Sequence, residues 1–287
     1  MLSYVHAFHA GNHADILKHL VLSLSLERLR KKEAPFTVYD THAGSGLYRL
    51  DDERLLRTGE AESGVRPLLA ALKGDKATFS EEERCAAEEI ERSAFFALVA
   101  QHHERNEYPG SPLVERLFLR HGDEQILSEL HPRAVAELRL AMESRREPVK
   151  PRIHFRDGFE TLLSLTPPRT RRGLVIMDPS FEEADDFVRA ADTIRKLLKK
   201  WSGAVVLLWY PLVPHRKREL SRMKEAVAES VPGGEKLADF RLVVKDEGAL
   251  RGLSSLYGSG VLAVNPPFGL AERMGALIPF LEKVLRR

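Results

Sequence analysis

Cysteine is nearly absent. Cys85 is the single one among 287 residues, which excludes an internal disulfide and any zinc site built on cysteine pairs. Long apolar runs are also missing: the longest, Gly203 to Val213, is too short to cross a bilayer. No charged segment leads into an apolar secretory stretch, so a cytoplasmic protein with no membrane partner is expected. Net charge is small, at 44 basic against 42 acidic residues. What the chain does have is 43% hydrophobic and 30% charged residues, the composition of a globular protein held by burial rather than a disordered or fibrous one.

The small net charge hides an asymmetry. Residues 51–107 hold 14 acidic and 8 basic residues, a net of −6, which leaves 36 basic against 28 acidic, +8, on the rest. The basic residues gather at Arg145, Arg146, Lys150, Arg152 and Arg156, at Arg169, Arg171 and Arg172, at Lys196, Lys199 and Lys200, and over His215 to Arg218. Any one cluster is explained by a solvated helix face; their sum points to nucleic-acid phosphates.

Apolar periodicity gives the architecture. From Asn12, a plausible N-cap, Ile16, Leu17, Leu20, Val21 and Leu24 recur at helical spacing to about Leu29. A β-rich run, Phe36 to Tyr39, then enters a glycine turn at Asp40-Thr41-His42-Ala43-Gly44-Ser45-Gly46. Residues 51–107 read as helical and acidic, an inserted subdomain between a first segment, 1–50, and the remainder, 108–287. After Pro109-Gly110-Ser111-Pro112 a helix resumes, with Ser111 as its cap and Pro112 at its first position. Strands are expected at Gln125–Leu130, Arg152–Phe155, Gly173–Met177, Ala204–Tyr210, Phe240–Lys245 and Gly260–Val264, with helices over 134–142, 184–200 and 216–230 separating most of them. Such alternation predicts a mostly parallel sheet covered on both faces, with ligands beyond the carboxyl ends of its strands. The last two strands, without a helix between them, suggest an antiparallel edge.

The glycine turn lacks the third glycine of a dinucleotide fingerprint, since Arg49 occupies that place, which argues against hydride transfer. It suits a smaller adenosine ligand, because backbone approaches closely where no Cβ intrudes. Three later strand ends carry carboxylates: Glu129, Asp157 and Asp178. On one rim they can accept hydrogen bonds from ribose hydroxyls and an adenine amine, although a helix cap explains Glu129 or Asp157 taken singly. Asp178-Pro179-Ser180-Phe181 has its own logic. An exocyclic amine is a poor nucleophile, and a carboxylate plus a neighbouring carbonyl accepting its two hydrogens favours an attacking geometry while an aromatic ring stacks on the base. A sulfonium donor already carries the charge that makes its methyl group transferable, so no metal is required. The histidines His6, His9, His13 and His19 invite a zinc site, but no glutamate stands between His9 and His13 in the metalloprotease pattern. Cys85, among glutamates, reads as a packing residue rather than a nucleophile.

Several motifs stand in order along nearly the whole chain: Met1-Leu2-Ser3-Tyr4, His6, Phe8 to Asp15, Leu17-Lys18-His19, Asp40 to Gly44, Tyr108 to Pro112, Glu129 to Pro132, Trp209-Tyr210-Pro211 and Asn265-Pro266-Pro267. Together they strongly resemble the ribosomal RNA large subunit methyltransferase J family. The resemblance implies an α/β, Rossmann-like class I methyltransferase sheet with a small inserted helical subdomain. It also implies S-adenosyl-L-methionine as methyl donor and N6 of an adenine in 23S rRNA as acceptor. Carried over by position, it implies that His19, His42, Ser111, Glu129, Asp157, Gly158 and Asp178 hold the donor. Asp178 is also implied to be catalytic, and Tyr4, Lys18, Pro179 and Phe181 to meet the substrate. A monomer that binds rRNA and no metal is expected. Two alternatives stay open: an adenine methyltransferase acting on DNA, and a non-catalytic nucleic-acid-binding or DNA-utilisation protein that kept the fold.

One departure from the family falls at the catalytic tetrapeptide, where Ser180 replaces a second proline. A fixed φ is lost there, and the expectation is looser geometry and slower turnover. Asn265-Pro266-Pro267-Phe268 matches the general amino-methyltransferase tetrapeptide better, but ends the last strand, far from the glycine turn, and is rejected as the site.

Overall fold

A computed structural model describes residues 9–53, 55, 59–143, 147–231, 236–250 and 256–286. Tyr4, His6, Arg145 and Arg146 lie outside them. The first helix, α1 (His13–Arg30), starts where the sequence places it: the Asn12 side chain accepts from the Asp15 N–H. Its residues from His13 to Leu26 are all buried, so it is a core helix and not an amphipathic surface one. Burial on every side obliges its polar groups to find partners. Ser25 donates to the Val21 carbonyl at 2.7 Å, and Asp15 Oδ2 accepts from the Gly11 N–H at 2.9 Å.

Seven strands form the sheet: β1 (Thr37–Asp40), β4 (Glu124–Glu129), β5 (Arg152–Phe155), β6 (Gly173–Met177), β7 (Val205–Leu212), β8 (Leu237–Val243) and β9 (Gly258–Val264), in the order β5-β4-β1-β6-β7-β9-β8. The order reverses at β1, and the pairs among β5, β4, β1, β6 and β7 are all parallel. Their carboxyl ends therefore share one rim, with the crevice of a doubly wound sheet beside β1. The antiparallel edge is present: β9 inserts between β7 and β8 and runs against both. β8 begins three residues earlier than its apolar pattern suggested, because an edge strand with half-exposed residues carries a weak signal. β7 extends through Pro211 to Leu212, past the end of β6, where β9 is its one partner strand.

Helices α5 (Ser111–Arg116), α6 (Pro132–Met142), α7 (Gly158–Leu165), α8 (Ala184–Lys200), α9 (Lys217–Glu229) and α10 (Leu270–Leu285) follow or flank these strands. Between β1 and β4 the chain makes a ribbon, β2 (Leu47–Arg49) against β3 (Glu107–Pro109), that the sequence did not reveal. Arg49 lies opposite Glu107, so the intervening stretch leaves and returns at one point. It contains α2 (Val65–Lys73), α3 (Glu81–Glu91) and α4 (Ala94–His103). Val65, Leu68, Ile90 and Phe95 from these helices join Leu20, Leu174 and Leu277 in one continuous core. Acidic residues of α3 face basic ones of α10: Glu89 accepts from Arg273 at 2.6 Å and Glu83 from Lys283 at 2.7 Å.

Two local readings need correction. Ser111 does not cap α5; Gly110 holds the cap position and the Ser111 hydroxyl donates instead to Asp40 Oδ2 at 2.6 Å, a charge-assisted bond stronger than a cap. Cys85 is exposed and not a packing residue, because Ala86, Ala87 and Ile90 form the buried face of α3. Among the described residues, no helix is long and apolar enough to cross a membrane.

Candidate functional site

The rim holds a cavity of about 200 Å³. His42, Gly44, Glu129, Asp157, Gly158, Asp178 and Pro179, from the ends of β1, β4, β5 and β6, line it. Two of its lining residues are glycines because the protein packs closely against them. Gly44 has φ +60°, in the left-handed region, and a Cβ there would stand 2.1 Å from the Tyr48 hydroxyl. A Cβ on Gly158 would stand 1.8 Å from the Thr41 carbonyl, so only glycine lets the β5–α7 turn press against the end of β1.

Glu129 anchors the glycine turn. Its Oε2 accepts from the Gly44 N–H at 2.8 Å, and its Oε1 from the N–H groups of Leu130 and His131 at 2.8 and 2.7 Å. Three of about four lone-pair sites are thus used, leaving one on Oε2 for a ligand hydroxyl. Asp157 caps α7 through the Glu160 N–H at 3.0 Å and accepts from Arg189 at 2.8 Å. Burial opposes its charge, but the Arg189 bond holds its carboxyl below the usual range. Burial lowers the His42 pKa despite four surrounding carboxylates, so this imidazole is neutral. It bonds Thr41 Oγ1 at 2.8 Å through Nδ1 and meets Phe159 edge-on.

A smaller cavity of about 140 Å³ lies on the other side of the same strand end. Lys18, Asp15, Trp209 and Pro211 line it, and Asp178 and Ser180 border both cavities. Lys18 Nζ donates to Asp178 Oδ2 and lies 2.9 Å from Asp15 Oδ1. Burial opposes the ammonium, but the two carboxylates hold its pKa above the ordinary lysine range. Asp178 is thus a carboxylate with one oxygen fixed by a buried cation and the other free of that pairing.

Other expected residues take different places. His19 lines neither cavity; it is buried, with Nδ1 2.9 Å from the Tyr108 hydroxyl and the rings stacked. Ser111 lies beneath the rim on Asp40. Burial pushes the Asp40 carboxyl up to about 6, against the Ser111 and His42 bonds that lower it. Beside it, burial and the Asp40 charge raise Glu115 well above the carboxylate range. Phe181 has φ +53°, strained for an aromatic residue, and is 4% exposed between Phe187 and Trp209. Ser180, in place of the second proline, makes two long hydrogen bonds, to Asp186 at 3.3 Å and from the Glu182 N–H at 3.4 Å.

Asn265 stands at the opposite end of the sheet. β9 is antiparallel to β7, so the end of β9 pairs with the start of β7, and Asn265 Nδ2 donates to the Ser202 and Ala204 carbonyls at 3.0 and 2.8 Å. The basic clusters also divide. Arg171 and Arg172 precede β6, and Lys199 and Lys200 end α8, away from the cavities. From the cluster at His215 to Arg218, Arg216 bonds the nearby Glu182 carbonyl at 2.8 Å, while Arg133 and Arg189, which belong to none of the clusters, line the larger cavity. Lys18 and Asp178 were expected site residues, but their pairing with each other and with Asp15 was not expected; its one local signal is an acid and a base three apart on α1.

A sheet that reverses at β1, with an acid-lined cavity at the crevice and an antiparallel β9, defines an α/β fold of the class I methyltransferase type. A family model described as "Ribosomal RNA large subunit methyltransferase D, RlmJ" matches residues 33–287, and the chain belongs to that family. It is 35% identical over 288 residues to "Ribosomal RNA large subunit methyltransferase J" of Escherichia coli (strain K12), covering 99% of this chain and 94% of the relative. Its identity to the protein of the same name from Haemophilus influenzae is 33% over 285 residues, with the same coverages. The crystal structure of protein LPL1258 from Legionella pneumophila superposes with a TM-score of 0.76 at 26% identity, covering 96% of this chain and 94% of that one.

Proposed function

We propose that the protein transfers a methyl group from S-adenosyl-L-methionine to N6 of an adenine in 23S rRNA. Family membership supports a large-subunit rRNA substrate, and the observation that carries the chemistry is that Asp178 borders two cavities at once. The larger cavity fits the donor: Gly44 and Gly158 line it without side chains, and Glu129 keeps one lone pair for a ribose hydroxyl. Bound there, the donor supplies an electrophilic methyl group. His42, Asp157 and Gly158 line its berth, with His19 and Ser111 supporting it from below.

The smaller cavity takes the acceptor base, extruded from its stack. Asp178, oriented by Lys18, accepts a hydrogen bond from the amine and raises electron density on its nitrogen; Pro179 follows directly on that carboxylate. Arg133, Arg189 and Arg216 on the cavity side meet RNA phosphates. Tyr4, by the family resemblance, is a further residue that meets the substrate. Residues 51–107 form an insertion that stands on the core, its acidic helix turned to α10. The chain acts as a monomer in the cytoplasm and without a metal. The test is methyl transfer to unmodified large-subunit rRNA followed by mapping of the product. Label on an adenine N6, abolished by Asp178→Ala, supports the reading; label on DNA alone, or none, refutes it.

A further inference from the structure

The motif Trp209-Tyr210-Pro211 has no role in the chemistry above, and the ring that the sequence assigned to the base, Phe181, is buried away from both cavities. Alternation along β7 resolves which aromatic residue faces the acceptor. Tyr210 points to the α9 side, where its hydroxyl bonds Asp239 and accepts from Lys224 at 2.8 Å. Trp209 therefore points to the α1 side. There it lines the smaller cavity with Lys18 and Asp178, only partly buried, and its ring centroid lies 6.1 Å from that of Phe181. Its indole Nε1 is itself shielded and has no hydrogen-bond partner among the described residues.

We infer that Trp209 is the aromatic wall against which the target base is held, with Phe181 and Phe187 behind it as support. A purine suits both groups. Its flat face lies on the indole ring while its exocyclic amine reaches Asp178. Trp209 thereby favours a flat nucleobase over a sugar or phosphate in that cavity. The inference rests on the proposed adenine methylation.

The protein has two tryptophans, and Trp201 donates to the Arg171 carbonyl at the far end of the sheet. Trp201→Phe therefore isolates the Trp209 fluorescence. The probe is a short large-subunit rRNA fragment that wild-type protein methylates, compared with the same fragment made abasic at the methylated position. The intact fragment should quench Trp209 at least twice as strongly as the abasic one. Trp209→Ala should lower kcat/KM for the fragment roughly 10- to 100-fold, the factor carried by loss of one base-aromatic stack, with S-adenosylhomocysteine affinity within twofold of wild type. Trp209→Phe, which keeps a ring and the fold, should retain more activity than the alanine variant. Equal quenching by both fragments, or full activity in Trp209→Ala, overturns the inference while leaving the methylation reading intact. A parallel fall in S-adenosylhomocysteine affinity overturns it in favour of a structural role. Failure of the wild type to methylate any rRNA fragment removes both.

Discussion

Replacing Lys18 with methionine tests the electrostatic design of the site. Lys18 is 5% exposed, and its ammonium sits between Asp15, 1% exposed, and Asp178. Methionine keeps the length of the side chain but leaves two carboxylates facing each other without a cation. Removing one partner of a buried ion pair costs about 3–5 kcal/mol, because the remaining charge is desolvated and unpaired. Asp15 keeps the Gly11 N–H and a place in the first turn of α1, where the helix dipole favours an acid, so the lower end of that range is expected. In a domain of this size that is a fall in melting temperature on the order of 10 °C. Calorimetric or urea unfolding reads it directly. The decisive comparison is Lys18→Met with Asp15→Asn: neutralising the orphaned acid should recover about half of the loss. If Lys18→Met costs less than about 1 kcal/mol, or the double variant is no more stable than the single, the triad is not a buried charge system and the reasoning fails.

Three further outcomes follow from other contacts. Gly158→Ala drives a Cβ into the Thr41 carbonyl and should destabilise by about 3 kcal/mol while weakening S-adenosylhomocysteine binding at least tenfold; an unchanged titration calorimetry isotherm counts against the close approach. Glu115 has a raised carboxyl pKa, so its contribution to stability is complete below about pH 4.5 and declines as pH rises toward the folded value, with a slope of up to about 1.4 kcal/mol per pH unit. Glu115→Gln should flatten that limb in urea unfolding measured from pH 5 to 8, and a parallel profile in the two proteins would contradict it. Asn265→Ala should leave methyl transfer within twofold of wild type and cost about 1–2 kcal/mol of stability through its two lost hydrogen bonds; loss of activity there with Asp178→Ala active reverses the assignment of the tetrapeptide.

Much of the frame is a local property of the chain. The helix from Asn12, the strands at β5 and β6, the helix over 184–200 and the antiparallel edge follow from periodicity and turn residues, because each depends on neighbours within a few positions. The carboxylates Glu129, Asp157 and Asp178 were legible as strand-end residues, since a parallel sheet brings such ends to one rim. Contacts between distant positions were not. Lys18 meets Asp178 across 160 residues of sequence, Ser111 turns from a cap to a bond with Asp40, and Arg189 takes Asp157. Composition cannot specify these, because pairing of buried charges is decided by which elements pack together.

The tetrapeptides show the division most plainly. By residue type, Asn265-Pro266-Pro267-Phe268 is a better motif than Asp178-Pro179-Ser180-Phe181, and only its place at the end of the last strand argues against it in the sequence. Strand direction separates them: β6 runs toward the crevice and β9 away from it, so one motif reaches the cavities and the other the opposite end of the sheet. The same holds for the aromatic residues. The sequence alone supplied an aromatic beside the acid, and backbone strain at Phe181 turned that ring into the core and left Trp209 at the cavity. Identity and spacing determined which groups were available; the direction of each strand and the face of each side chain determined which of them meet.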